Sequence, residues 1–78
     1  MPRIDKFNGI NIYIHANEHP PPHVHAVYNE YEVAVDIAGQ KIIAGYLPMK
    51  QMRQVNTWLI KNAETAIKNF NKLNLELR

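Results

Sequence analysis

The chain has 78 residues, a net charge of +2 and 46% hydrophobic residues, which points to one domain, residues 1–78, of ordinary globular composition. It contains no cysteine, so disulfides, thiol nucleophiles and thiolate metal ligands are excluded together. A charge of +2 is too small to argue by itself for nucleic acid or an acidic partner. A chain this short buries a thin core, so a partner protein or a homo-oligomer is expected to contribute to its stability. The start, Met1 to Ile10, lacks the apolar run of a signal peptide. No segment has the apolar length that spans a bilayer. The expectation is a cytoplasmic protein with no membrane partner.

In chain order, residues 3–7 read as a short strand and Asn8-Gly9 as a two-residue hairpin turn. Residues 9–15 alternate, with Ile10, Ile12 and Ile14 toward a core and Asn11, Tyr13 and His15 on the other side. Two further strands flank a turn at Asn29-Glu30. In the first, Val24, Ala26 and Tyr28 share one face and His23, His25 and Val27 the other. In the second, Tyr31, Val33, Val35 and Ile37 share a face. A turn around Gly39 leads into a last strand near residues 41–47, within which Gly45 falls. Neither glycine belongs to a phosphate loop.

From Pro48 the period changes. Proline suits the first turn of a helix, where its missing N–H has no partner to lose. Met52, Val55, Leu59, Ala63, Ala66, Ile67, Phe70 and Leu73 then recur at steps of mostly three and four, the stripe of an amphipathic helix. Lys50, Arg53, Gln54, Lys61, Glu64, Lys68 and Asn71 lie opposite, and Trp58 sits beside the stripe as core edge or partner contact. The expected fold class is α+β: a small antiparallel β-meander of four to five strands within 3–47, with one long C-terminal helix, about 48–72, packed on one face.

All four histidines, His15, His19, His23 and His25, fall within eleven positions, and Pro20, Pro21 and Pro22 stand between two of them. On a strand, residues two apart point the same way, so His23 and His25 can address one point in front of the sheet. The residue before a proline is driven to extended backbone, and the prolines stiffen the approach. This loop would hold His19 in place relative to His23.

Three uses of the cluster stay open. Imidazoles titrate near neutral pH, so one can accept a proton while another gives one. Cleavage of RNA by its own 2′-hydroxyl needs such a pair, with cations near the phosphate, for which Arg3, Lys6, Lys41 and Arg53 are candidates. Alternatively His19, His23 and His25 hold Zn²⁺ or another divalent metal, with Glu18, Glu30 or Asp36 as ligands or supporting acceptors. The third use is that of polar residues on an exposed sheet face. The chain has no serine, and its two threonines, Thr57 and Thr65, lie on the helix, so hydroxyl-nucleophile chemistry is not expected. Tyr13, Tyr28, Tyr31, Tyr46 and Trp58 can stack bases, although strand aromatics more often pack across strands. The basic side of the helix reads first as a solvated face, and Met49 and Met52 as core or a soft partner patch.

Phe7 to Ile10, Glu18, His19, the Pro21-Pro22-His23-Val24-His25 string, the strand 30–37 and Trp58-Leu59 together resemble a widespread family of short bacterial domains of unknown function. That family begins Met-Pro and carries a His-x-Pro-Pro-His-x-His signature. The resemblance covers nearly the whole chain. Its members are often encoded in toxin–antitoxin-like pairs, of which they are proposed to be the toxin. The resemblance implies His19, His23 and His25 as functional residues, Glu18 more weakly and His15 less still. It also implies a small cognate antitoxin-like partner. On this expectation the protein acts on RNA or translation, in a ribonuclease-like way. His23 and His25 are then the catalytic acid–base pair, His19 the third group, and no cofactor is needed. The alternative is a non-catalytic binding module whose histidines hold a divalent metal or dock a partner protein or nucleic acid.

Overall fold

The computed structural model describes residues 3–16 and 18–74; the Met1-Pro2 start lies outside them. Five strands and one helix follow in order: β1 Arg3–Phe7, β2 Ile10–Tyr13, β3 His23–Tyr28, β4 Tyr31–Asp36, β5 Ile42–Gly45 and α1 Met49–Leu73. The strands form one antiparallel sheet in chain order, β1-β2-β3-β4-β5. This is the expected meander with one C-terminal helix.

The turns follow from their residues. Asn8 and Gly9 both take positive φ, 50° and 78°, which is what a two-residue turn with the twist of its flanking strands requires. Phe7 consequently pairs with Ile10. Asn29, at φ 53°, closes the next hairpin so that Tyr28 pairs with Tyr31. The Asp36 carboxylate accepts the Ala38 N–H at 3.1 Å and the Asp36 carbonyl accepts the Gln40 N–H at 2.8 Å, which folds the chain back into β5. Gly45 ends that strand at φ 73°. A Cβ there would run into the Glu32 carbonyl, so glycine lets β5 lie tightly against β4.

Alternation puts Ile10, Ile12, Ile14, Val24, Ala26, Val33, Val35 and Ile37 into one core with Leu47, Val55, Leu59, Ala66 and Phe70. The helix starts directly after Pro48, which is its N-cap residue, and lies closest to β3. Met52, Ala63 and Ile67 pack at the core edge, as does Trp58. One stripe position departs from expectation. Leu73 is exposed, and the next residue, Asn74, is buried in its stead, because the Asn74 amide binds backbone groups of Phe70 on the helix and of His15 and Glu18 in the β2–β3 connection. No helix among the described residues is long and apolar enough to cross a membrane.

Candidate functional site

The register of three strands builds the site. Tyr13 of β2 stands opposite His25 of β3, and His25 opposite Ala34 of β4, which in turn faces Ala44 of β5. These residues belong to the sheet face that the helix does not cover. Small side chains therefore stand beside His25. They leave a hollow of about 240 Å³ lined by His25, Glu32, Ala34, Ala44 and Gly45. His15, just past β2, reaches the same place: its ring lies 4.1 Å from that of His25, edge to face.

The connection between β2 and β3 carries Glu18 back over the histidines. Its Oε1 lies 3.0 Å from His25 Nε2 and 3.5 Å from His23 Nε2. The other side of each ring also has a partner. His23 Nδ1–H donates to the Pro21 carbonyl at 2.8 Å, and His25 Nδ1 lies 3.4 Å from Glu32 Oε2. His23 is nearly buried, its ring 5.2 Å from both the His25 and Phe70 rings.

These contacts constrain protonation. A ring nitrogen that donates to a carbonyl carries the proton, so in neutral His23 the lone pair is on Nε2. That lone pair faces a carboxylate oxygen. Two acceptors facing each other are unfavourable unless a proton or a cation lies between them. Burial pushes the Glu18 carboxyl up, but the hydrogen bond from His25 and the charge of His23 outweigh it and hold Glu18 below its ordinary value. Burial pushes His15 down, and the neighbouring His25 pushes it further.

Asn74 fixes this loop to the helix. Its Nδ2 donates to the His15 carbonyl at 3.1 Å and to the Phe70 carbonyl at 2.9 Å. Its Oδ1 accepts the Glu18 N–H at 2.6 Å. One buried amide thus positions the backbone of two cluster residues from the far end of the chain. Nothing local in the sequence marks it, since its partners lie 56 and 59 positions away.

The structure brings together His15, Glu18, His23, His25 and Glu32, but not His19, which is exposed. Two sets of three place one ligand atom each within 4.8 Å of one another: Glu18, His23 and His25, and His15, His25 and Glu32. His19 enters neither, so Glu18 and His15 stand where His19 was expected. Glu30 sits exposed in a turn, and Asp36 is engaged with its own loop; the acids at the site are Glu18 and Glu32. The two-residue turn at Asn29-Glu30 was the available signal, because it pairs Val27 with Glu32 and His25 with Ala34. That puts Glu32 on the His25 face, one diagonal step away.

None of the expected cations pairs with a carboxylate of the cluster among the described residues. Arg3 donates to Asn11 Oδ1 at 3.2 Å, and Arg53 lines a separate cleft. Among the described residues, only histidines pair with Glu18 and Glu32.

A family model matches residues 9–71, that of a domain of unknown function, DUF4160. No curated protein and no solved structure matches the chain.

Proposed function

The chain belongs to this family of domains of unknown function, and from that premise we propose that it is a binding module for one divalent transition-metal ion, held by Glu18, His23 and His25. The observation that carries this is the convergence of His23 Nε2 and His25 Nε2 on one Glu18 oxygen, with His23 Nδ1–H given to the Pro21 carbonyl. A cation between them removes the repulsion. Metal-bound imidazoles characteristically give their other N–H to a carbonyl or carboxylate. Pro21 O serves His23 in this way. Glu32 is placed to serve His25 once its proton moves from Nε2 to Nδ1. Two imidazoles and one carboxylate suit Zn²⁺ and its neighbours better than Mg²⁺ or Ca²⁺. Three protein ligands also leave a position for water or a partner's ligand.

Calorimetric titration of the metal-free protein with Zn²⁺ at pH 7.5 tests this. The expected result is one ion per chain at micromolar affinity or better, lost in His23→Ala and weakened about a hundredfold in Glu18→Gln. No binding at that concentration overturns it.

A second function has its own observation. His25 stands between two carboxylates, Glu18 and Glu32, an arrangement that orients an imidazole for proton transfer. On this basis, and on the resemblance to toxin–antitoxin-like pairs, His23 and His25 act as acid and base on RNA, and a small cognate protein covers their face. The acids around the histidines weigh against it, because they repel phosphate. Growth arrest on induction, abolished in a folded His23→Ala/His25→Ala variant that binds no less RNA, would support this function. Unimpaired growth with the wild type would remove it.

A further inference from the structure

A cleft lies away from the histidines, between the β1–β2 turn and the first half of α1. It has a volume of about 340 Å³, within the range of small-ligand sites, about 300–1,000 Å³. Its walls combine three kinds of group. Phe7 and Trp58 are aromatic, Gln54 and Asn8 are amides, and Arg53 and Lys61 are cations. The helical period brings Arg53, Thr57 and Lys61 into one row on this side and Gln54 and Trp58 into the adjacent row, since residues four apart share a face. We propose that this cleft binds a 5′-nucleotide unit, a planar base with its phosphate.

Each element has a stated role. The Trp58 indole N–H donates to Asp5 Oδ2 at 2.6 Å, so the hairpin holds the ring as a fixed wall on which a base can stack. Stacking of this kind accepts any base, because every base has a π-face. Asn8 Nδ2 donates to Gln54 Oε1 at 3.1 Å, which leaves the Gln54 amide N–H groups and the Asn8 carbonyl oxygen to meet base edges. Arg53 and Lys61 have no carboxylate partner among the described residues; the Arg53 guanidinium donates to the Met49 sulfur at 3.3 Å. Their charge is therefore available to a phosphate. Asp5 is the nearby acid, and the indole and the Lys6 N–H both engage it. Arg53 and Phe70, which packs on His23, are separated by about 25 Å along the helix at roughly 1.5 Å per residue. The cleft and the metal cluster are thus separate sites, and neither proposal rests on the other.

Trp58 is the one tryptophan of the chain, so its fluorescence reports on this cleft alone. The protein is titrated with AMP, with adenosine, with inorganic phosphate and with a short single-stranded oligoadenylate. Saturable quenching by AMP is expected, with adenosine and phosphate each weaker by about tenfold or more. Arg53→Gln/Lys61→Gln should weaken AMP by a similar factor, with circular dichroism and Zn²⁺ binding unchanged. An oligomer binding at least about tenfold tighter than AMP identifies a single-stranded nucleic acid as the source of the unit; equal binding identifies a free nucleotide. The proposal is overturned if neither AMP nor the oligomer gives saturable quenching at millimolar concentration. It is also overturned if the double variant quenches as the wild type does.

Discussion

The two faces of the sheet are made from the same strands and alternate residues, yet they are built on opposite terms. On β2, Ile10 and Ile12 are fully buried, while Asn11 and Tyr13, which alternate with them, are only partly buried. The helix face is apolar and closed, so its stability comes from area removed from water and from close packing. The open face gathers three imidazoles and two carboxylates, held by hydrogen bonds and by a loop anchored to the helix end. Loss of volume on the first face should therefore cost stability, whereas substitution of the second face's polar groups should disturb the fold less. Phe70 belongs to both, since it is fully buried in the core and its ring packs against His23.

The contrast breaks most visibly at that shared residue. Phe70→Ala should cost about 3–5 kcal/mol of stability, as large-to-small changes of buried aromatics do. Denaturant unfolding would measure it. A loss below 1 kcal/mol would mean that the closed face is not the main source of stability. Next in size is Glu18→Gln, which should lower Zn²⁺ affinity by about a hundredfold, roughly 2.7 kcal/mol, while unfolding of the metal-free protein shifts little. Equal effects on both would erase the distinction between the faces. Asn74→Ala should fall between the two behaviours. It leaves buried backbone groups without partners, at about 1–3 kcal/mol, and frees the loop that carries Glu18. It should therefore weaken Zn²⁺ by about tenfold, as loss of supporting groups does, whereas Asn74→Asp, which keeps the acceptor, should recover part of the Glu18 bond.

The smallest effect concerns acid. His15 titrates below its ordinary value of 6.5, first because of burial and then because of His25. The unfolded chain therefore takes up the proton before the folded one does. This contribution to stability is full above 6.5 and falls as the pH drops toward the folded value. Glu18 is held below its ordinary 4.5, so its contribution is present above that pH and is lost as the pH falls through the folded value. Thermal midpoints of the metal-free protein, taken from pH 8 down to 3, should decline in both windows. His15→Gln should remove His15's part of the upper decline, and an unchanged upper decline in that variant would assign it to other groups.

The site was legible in part. His23 and His25 were visible as a pair because a strand repeats every two residues, and that rule holds wherever the strand lies. His19 looked equally good in sequence, but position along a loop does not say where a side chain ends. The chain turns so that Glu18 covers the cluster and His19 faces solvent. Glu32 could have been found by counting back from the Asn29 turn. Asn74 could not, because its role depends on the helix end meeting a loop 56 residues earlier. The same holds for the cleft at Trp58, where Asp5 and Asn8 meet Trp58 and Gln54 across 53 and 46 positions.

Alternation, the positive-φ turns at Asn8-Gly9 and Asn29, and the three-and-four stripe after Pro48 were enough to determine a meander, its register and one covering helix. These are local consequences of backbone sterics and of which face must leave water. Only the tertiary structure decided which imidazoles share a carboxylate, which lone pair faces it and which amide anchors the loop. Those are contacts between distant segments, fixed by how the helix end and the β2–β3 connection pack, and no local period encodes them.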